Sequence, residues 1–275
     1  MKASGIITLI TDFGLSDAYV AMMKGVILSI NPAAKLIDIS HQISVGSILQ
    51  GASIIRETFP FFPMGTVHIA VIDPSVGSHR RPIAIQSGGH FFLGPDNGLL
   101  WPVISGQKEA KVIHLIETRY FLKHITYTFH GREVFAPAAA YLSLGVDVEK
   151  MGPALNDPVQ LHLPKPKKRE GILYGQVIRT DNFGNLITNI HYEELQAFLK
   201  SCQPIIEVGK LVIKKISKIY SDASEGEPLA LINSSQWLEI AVNLGRASEY
   251  LGMDSGDIIG AQVKVIRRKQ DLDSM

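Results

Sequence analysis

Two aspartates stand where apolar segments of strand length end. Asp12 follows the apolar run in "LITDFG", and Asp73 follows the run in "AVIDPSVG". In open α/β sheets, ligands bind beyond the carboxyl ends of the strands, so two carboxylates at two such ends indicate one polar crevice. Aspartate is also a routine turn and helix-cap residue, and each residue taken alone fits that structural role equally well.

An arginine and a histidine can join these carboxylates. Asp73 is followed by "PSVGSHRR", in which Pro74 stiffens the loop and Gly77 allows it to turn toward Arg80. His130, in "TFHGREVFAP", stands just before a predicted helix and can project from a loop into the same crevice. A histidine at a helix start is more often structural than catalytic. Together the three side chains would supply a carboxylate, a fixed cation and a proton acceptor.

A second polar region lies in the last third of the chain, in "TDNFGNLITN" and "NSSQWLEIAVN". Phe183 could stack on a planar base, Asn185 could pair with the edge of that base, and Asp181 could bind an ammonium group. The alternative is that "DNFGN" is only a turn and "NSS" only a strand end. Composition does not separate the two interpretations.

Several common kinds of site are absent from the sequence. No histidine pair has the spacing of a zinc site, and Cys202 is the single cysteine, so we predict no metal centre and no disulfide. No glycine-rich dinucleotide motif, phosphate-binding loop or G-x-S-x-G elbow is present. We therefore expect no cofactor and a ligand without a triphosphate.

The overall balance of charge excludes some partners. The 275 residues carry 27 Lys and Arg against 26 Asp and Glu, and the net charge of +1 gives no field to hold nucleic acid or an anionic membrane. The apolar run from Ile6 is too short to span a membrane and lacks the flanks of a leader, so we interpret it as a buried strand. We expect a cytoplasmic protein.

The first half alternates strand-like runs with helical periodicity, a pattern typical of an α/β layer. Ser16 or Asp17 could cap a first helix that stops at Asn31-Pro32, and Ser44 could cap a second that extends to about Phe59. A third helix is expected over 132–144. The glycine pair 88–89 predicts a hairpin and so a mixed sheet. Strands are predicted over 5–11, 35–40, 66–72, 82–86, 90–93 and 111–116.

The composition changes after residue 156. Prolines and a short basic run over 159–170 predict an extended linker, and the short glycine-punctuated runs after it predict a small barrel or sandwich. The fold class expected is α/β, with an N-terminal domain built on a mixed, largely parallel sheet (1–158) and a smaller C-terminal β-barrel domain (171–275).

The ordered segments "ITLITDFGLSDAYVAMMKGVI", "VIDPSVGSHRR", "FLGPDNGLL", "TFHGREVFAPAAAYL", "TDNFGNLITNI" and "NSSQWLEIAVN" resemble the S-adenosylmethionine (SAM) hydroxide adenosyltransferase family. This family is related to the enzymes that attack the same carbon with fluoride or chloride. The resemblance covers nearly the whole chain. It implies an α/β domain followed by a β-barrel, and a homotrimer that binds substrate between the first domain of one subunit and the second domain of its neighbour.

The resemblance also implies a role for each candidate residue. Asp12 matches the carboxylate that grips the ribose hydroxyls. The positions that match an adenine contact are Phe183 and Asn185, and those that match a contact to the methionine end are Asp181 and Ser234. The three that match the group positioning the attacking water are Asp73, Arg80 and His130.

Two differences from the halide-using relatives favour water as the nucleophile. Asp73 replaces an aromatic residue, and its negative charge would repel a halide; no long insertion lies between Gly88 and Trp101. Two further departures are Gly46, where these relatives have a bulky aromatic against the ribose, and Ser235, where the fluorinating ones have an arginine near the methionine carboxylate. They concern how the substrate is bound and not the class of reaction. We therefore expect hydrolysis of SAM to adenosine and methionine, with Asp73 and His130 orienting the water and accepting its proton and Arg80 stabilising hydroxide character.

Other functions remain open on the sequence alone. The first is halide-dependent synthesis of a 5′-halo-adenosine, and the second is a non-catalytic protein that binds SAM or adenosine, whose binding residues would look the same. A Rossmann-type methyltransferase is disfavoured, because the glycine-rich first turn is absent.

Overall fold

Residues 1–107, 109–162, 164–252 and 258–268 are described by the computed structural model of this chain. The chain divides into two compact units, Met1–His162 and Leu163–Met275. The division falls inside the segment expected to be a linker. The predicted second domain also includes residues 253–257 and 269–275, which lie outside the described residues.

In the described part of the first unit, six strands form one mixed sheet in the order β2-β1-β3-β5-β4-β6. The parallel pairs are β1 with β2, β1 with β3, and β3 with β5, whereas β4 is antiparallel to β5 and β6. Gly88 and Gly89 form the β4–β5 hairpin at φ +55° and +81°, as their sequence predicts. The strands are β1 Ile6–Thr11, β2 Lys35–Ser40, β3 Val67–Val71, β4 Pro82–Ser87, β5 His90–Pro95 and β6 Lys111–His114.

Side chains alternate between the two faces of this sheet, and each face is covered by helices. On β1, Ile7 and Leu9 belong to one core cluster with Met23, and Ile10 belongs to the opposite cluster with Ile55. Helices α1 and α4 cover the first face, and α2 and α3 cover the second. The helices are α1 Tyr19–Ile30, α2 Ile48–Thr58, α3 Trp101–Ile104 and α4 Ala136–Ser143.

The predicted helix caps are wrong. Helix α1 follows Ala18, and neither Ser16 nor Asp17 occupies its N-cap position. Helix α2 follows Ser47, which makes no side-chain cap hydrogen bond, and Ser44 lies three residues earlier with its N–H bonded to Gln50. Both helices carry apolar faces packed on the sheet, so tertiary packing rather than capping stabilises their first turns.

The third predicted helix begins with a π-helical turn, Gly131–Phe135, before α4. Pro137 has no N–H to donate to the carbonyl of Glu133, which accepts a hydrogen bond from the Leu122 N–H at 3.0 Å instead. Because a proline also crowds the carbonyl four residues before it, the chain widens here into a π turn. This turn directly follows His130.

Within the described residues of the second unit, nine strands form a nearly closed, barrel-like sheet in which β7 pairs with β8 beside the path β11-β10-β15-β8-β9-β14-β13-β12. The strands are β7 Lys167–Arg169, β8 Ile172–Thr180, β9 Leu186–His191, β10 Pro204–Val208, β11 Leu211–Ile213, β12 Ile216–Ser217, β13 Pro228–Ile232, β14 Trp237–Val242 and β15 Gln262–Arg267. Helices α5, Tyr192–Leu199, and α6, Ala247–Leu251, complete it.

The side chains inside this sheet form one apolar cluster that includes Val177, Leu186, Ile206, Ile240 and Val265. A core shared by strands from all around the sheet is characteristic of a small barrel. The predicted fold class, a mixed α/β domain followed by a β-barrel, is confirmed.

Part of the predicted linker, Lys167–Arg169, is the exposed edge strand β7 of the second unit. Among the residues described, none lies in a helix that is both long and apolar enough to cross a membrane.

Candidate active site

The side chains of Asp73, Arg80 and His130 form one hydrogen-bonded cluster. Arg80 donates to both carboxylate oxygens of Asp73, from Nε at 3.1 Å and from Nη2 at 2.5 Å. The same Nη2 lies 2.8 Å from Nδ1 of His130. The Asp73 and Arg80 side chains are only 4% and 6% exposed, so solvent screens this ion pair little.

The loop after β3 brings Arg80 back onto Asp73. Two tight turns fold it, with the Val76 N–H bonded to the Asp73 carbonyl and the Ser78 N–H bonded to the Ser75 carbonyl. Gly77 adopts φ +78°, and a Cβ there would lie 2.2 Å from the carbonyl oxygen of Tyr127. Only glycine fits this close approach.

The contact with Arg80 fixes the protonation of His130. Nδ1 faces a guanidinium N–H, so it must accept, and this assigns the proton of the neutral ring to Nε2. Burial and the Arg80 cation lower the pKa of His130 below its ordinary value, while Asp73 and Glu133 oppose them. The backbone of Thr126 also raises this pKa, by accepting a hydrogen bond from the ring. His130 therefore stays neutral at physiological pH with its ring proton on Nε2.

A cavity of about 150 Å³ adjoins the cluster, lined on its polar side by Asp73 and His130. Its other walls include the rings of Phe13, Tyr19 and Phe129, whose centroids lie 5.1 to 5.9 Å from one another. One water needs roughly 10–15 Å³, so the cavity has room for a water and part of a larger molecule. The faces of aromatic rings attract cations, which suits a positively charged ligand.

Asp12 lies at the end of the strand next to the one that carries Asp73. The register pairs Thr11 with Val71 across β1 and β3, so the two aspartates follow adjacent parallel strand ends, as predicted. The carboxylate of Asp12 accepts the Gly46 N–H at 2.8 Å, and Gly46 in turn lies beside Pro74. The half-buried Asp12 thus belongs to the same edge of the sheet as the cluster.

The second unit contains a cavity of about 460 Å³. Phe183, Asn185 and Tyr220 line it together with the segment Val242–Arg246, and its volume is in the range of small-molecule sites. Phe183 is 72% exposed and offers a free ring face, whereas Asn185 is buried. The structure therefore brings the two predicted base-contacting residues together in one cavity.

Asp181 and Ser234 are placed differently. The Asp181 carboxylate accepts the N–H groups of Phe183 and Asn185, both at 2.9 Å, and the Asn185 side chain at 3.0 Å. Asp181 thus shapes the loop that presents both residues. Ser234 is exposed in the turn between β13 and β14, and it does not line the cavity.

Sequence reasoning missed several residues at these sites. Phe13, Tyr19 and Phe129 form the aromatic wall, and the only sequence signal was their position beside Asp12 and His130 or at the start of α1. In the second unit, Tyr220 donates to buried Glu239 at 2.8 Å. Burial and this bond raise the pKa of Tyr220 to about 12, so the phenol stays neutral and its ring is held at the cavity wall.

In the ranges that the structure describes, no three His, Cys, Asp or Glu side chains converge in an arrangement that could hold a metal ion.

Comparisons with known proteins identify the family. Residues 7–152 match the SAM hydroxide adenosyltransferase N-terminal domain, and residues 175–260 match the C-terminal domain of the same family. The chain belongs to the SAM hydroxide adenosyltransferase family.

Named relatives cover almost the full chain. An (R)-S-adenosyl-L-methionine hydrolase of Methanocaldococcus jannaschii is 37% identical over 92% of this chain and 94% of its own length. One of Salinispora tropica is 34% identical, covering 91% and 95%. A fluorinase of Actinoplanes sp. is 29% identical, covering 88% and 93%. A crystal structure of a conserved protein from Thermotoga maritima has a TM-score of 0.87 at 32% identity, covering 95% of this chain and all of that one.

Proposed function

We propose that this chain hydrolyses SAM to adenosine and L-methionine. The observation that carries the proposal is the hydrogen-bonded Asp73, Arg80 and His130 cluster at the wall of a pocket large enough for a water. Relatives at 34% and 37% identity that bear the hydrolase name support the same reaction. A carboxylate at this wall disfavours a halide, because two negative charges would repel each other at short range.

The chemistry needs an aimed nucleophile more than an acid. The oxygen of water forms a bond to C5′ of the ribose as the C5′–S bond breaks. The electron pair of the C5′–S bond goes to sulfur, which leaves as the neutral thioether of methionine. No proton has to be delivered to that leaving group. The water must lie in line with the breaking bond, and one of its protons must be removed.

The hydrogen bonds of the cluster indicate which side chain would orient the water and which would remove its proton. His130 carries its ring proton on Nε2, which the Thr126 backbone also engages, and would donate it to the water oxygen to orient the water. Asp73 would accept the departing proton, and Arg80 holds both side chains through one guanidinium. This assignment refines the expectation that His130 shares the role of proton acceptor, since its Nδ1 is already occupied by Arg80.

The other predicted residues would bind the substrate. Asp12 would grip the ribose hydroxyls, and Phe183 and Asn185 would hold the adenine in the larger cavity. Asp181 and Ser234 are proposed at the methionine end, where Asp181 acts also through the loop it shapes. The aromatic wall of Phe13, Tyr19 and Phe129 would stabilise the sulfonium cation.

Three further properties belong to the proposal, and the first of them rests on the family resemblance. The protein is a homotrimer with each site formed by the first domain of one subunit and the second domain of its neighbour. It acts in the cytoplasm. It needs no metal and no cofactor, because the sulfonium is already an activated leaving group.

The test is incubation of the purified protein with SAM in ¹⁸O-water, with and without chloride and with and without a chelator, followed by mass spectrometry. We expect adenosine carrying ¹⁸O, free methionine, and no dependence on chloride or chelator. The Asp73→Asn variant is the matched control, since it keeps the shape of the side chain and removes its charge.

Each other outcome names a different function. A halogenated nucleoside would assign the protein to the halide-using branch. Intact SAM with measurable binding would indicate a non-catalytic binding protein, and either result would overturn the proposal. Loss of activity with the chelator would overturn the metal-free mechanism alone.

A further inference from the structure

Glu133 is a buried acid that the reaction itself does not use. Its side chain is 1% exposed and lies in the π-helical turn, three residues after His130. The carboxylate accepts the Thr126 N–H at 2.6 Å and the Thr126 hydroxyl at about 3.0 Å. It also pairs with the guanidinium of Arg132. A buried carboxylate is expensive to desolvate, and these partners offset that cost.

These contacts hold both ends of the segment that leads into His130, Thr126–Phe129. Thr126 at its start is bonded directly to Glu133. Phe129 at its end lies under the Arg132 guanidinium at 5.0 Å, and its carbonyl accepts the N–H groups of Arg132 and Glu133, each at 3.2 Å. The segment is therefore closed into a compact loop with the Glu133 carboxylate at its centre.

The same segment touches the loop that carries Asp73 and Arg80. Tyr127 lies against Gly77, where a Cβ would be 2.2 Å from the Tyr127 carbonyl oxygen and 2.9 Å from its Cβ. Any shift of residues 126–129 would thus displace the Asp73–Arg80 loop as well as His130. The cluster depends on both loops, since Arg80 bridges Asp73 and His130.

We propose that Glu133 is a positioning residue for SAM hydrolysis, which locks the segment 126–129 and thereby sets His130 against the Asp73–Arg80 pair. This inference rests on the proposed function. The negative charge of Glu133 also acts on His130 through space, together with Asp73 and against Arg80. Arg132 faces Glu133 as well and partly neutralises it.

The test compares Glu133→Gln, which removes the charge and keeps the length, with Glu133→Asp, which keeps the charge and shortens the reach. Glu149→Gln is the matched control: Glu149 is an exposed acid of the same unit, paired with Lys111. For each protein kcat and KM for SAM are measured against pH, and the pKa of His130 is measured by NMR. Rates are expressed per folded protein from urea unfolding curves.

We expect Glu133→Gln to lower kcat by about 10²-fold, the loss typical of a misplaced reacting group, with KM unchanged. The pKa of His130 should fall, because a neighbouring negative charge is gone, so the acidic limb of the kcat profile moves to lower pH. Glu133→Asp should restore the pKa of His130 and only part of kcat, and Glu149→Gln should match the wild type.

A folded Glu133→Gln protein with the wild-type kcat and His130 pKa would overturn the inference and reduce Glu133 to a structural role. Should the wild type itself release no adenosine, the proposed function fails instead. The NMR comparison still distinguishes that case, because the pKa of His130 is read without turnover.

Discussion

Arg80 fixes the position of the Asp73 carboxylate and the tautomer of His130 through its hydrogen bonds. One guanidinium binds the Asp73 carboxylate with two N–H groups and occupies Nδ1 of His130 with a third contact. Lysine could not reproduce this fork, because its ammonium is a point charge. The geometry of the cluster is therefore set by one planar side chain, and Asp73 and His130 are left to face the pocket.

Truncation of either pocket-facing residue should abolish most of the activity. Asp73→Ala removes the proposed proton acceptor, and His130→Ala removes the proposed donor to the water. Each should lower kcat by roughly 10²- to 10⁴-fold, the range for a lost acid or base partner. The measurement is steady-state release of adenosine. Near-wild-type activity in both variants would remove the cluster from the mechanism.

The pH dependence of kcat follows from the pKa of His130. A protonated ring would put an N–H against the Arg80 guanidinium, so only the neutral form is active and the rate rises with pH through this pKa. Burial and Arg80 lower the pKa, which places the limb below the ordinary value of about 6.5. Removing the cation in Arg80→Gln should move the limb to higher pH while kcat falls. A limb that stays in place would show that His130 is not the titrating group.

At the scale of elements, the close approach of the Asp73 loop to the segment that contains Tyr127 requires a glycine at position 77. Gly77 and Gly145 both have positive φ, +78° and +92°, but only Gly77 has backbone where a Cβ would stand. Gly145→Ala should cost about 1–2 kcal/mol for the left-handed conformation alone. Gly77→Ala should cost more and should also lower kcat, because the Asp73 loop must move away from Tyr127.

Urea unfolding and kcat of the two variants test this comparison. Equal losses of unfolding free energy, with kcat unchanged in both, would show that the contact between Gly77 and Tyr127 does not fix the site.

Much of the fold could be predicted from sequence, because hydrophobic periodicity is a local signal. The strand runs, the glycine hairpin and the change to short β runs after residue 170 each agree with the structure. Helix starts could not be predicted, since Ser16, Asp17 and Ser44 have the right chemistry for caps but packing sets where α1 and α2 begin. The π turn was also missed, because it needs Pro137 and the distant Leu122 N–H together.

The site was predictable to a similar degree. Asp12 and Asp73 follow from strand ends, a local property. Arg80 and His130 lie 50 positions apart in the chain. The sequence alone allowed His130 to reach the same crevice but favoured a structural role for it, and the family resemblance assigned it to the cluster. The aromatic wall gave no signal beyond its positions in the chain, since Phe13, Tyr19 and Phe129 otherwise look like ordinary core residues in sequence.

A buried histidine pair couples the stability of the first sheet to pH. His68 on β3 bonds to Thr8 at 2.7 Å and to His90 at 3.2 Å, and it stacks on Phe92. Burial first, and then His90, lower the pKa of His68 to about 3. Between about pH 6.5 and 3, the unfolded chain therefore binds a proton at His68 that the folded chain does not bind.

Stability should fall as the pH falls through this window, by at most about 1.4 kcal/mol per pH unit for one histidine. Urea unfolding at several pH values measures the slope, and His68→Gln should reduce it by about one proton. His124→Gln, at an exposed histidine of the same unit, is the control. An unchanged slope in His68→Gln would contradict the assignment.

At the scale of the whole molecule, the proposed trimer makes a prediction about complementation. If each site joins the first domain of one subunit to the second domain of its neighbour, two inactive variants can repair each other. One carries Asp73→Asn in the first unit, and the other carries Phe183→Ala with Asn185→Ala in the second. Sedimentation should give three times the chain mass of 30.2 kDa for each.

Refolding the two variants together in equal amounts should restore roughly a quarter of the wild-type activity, because in a closed ring of head-to-tail contacts each site draws its two halves at random. Wild-type protein refolded in the same way sets the scale. Activity no greater than the sum of the two variants refolded separately would mean that each site is formed by one chain. That result would contradict the intersubunit site without contradicting the trimer or the hydrolysis.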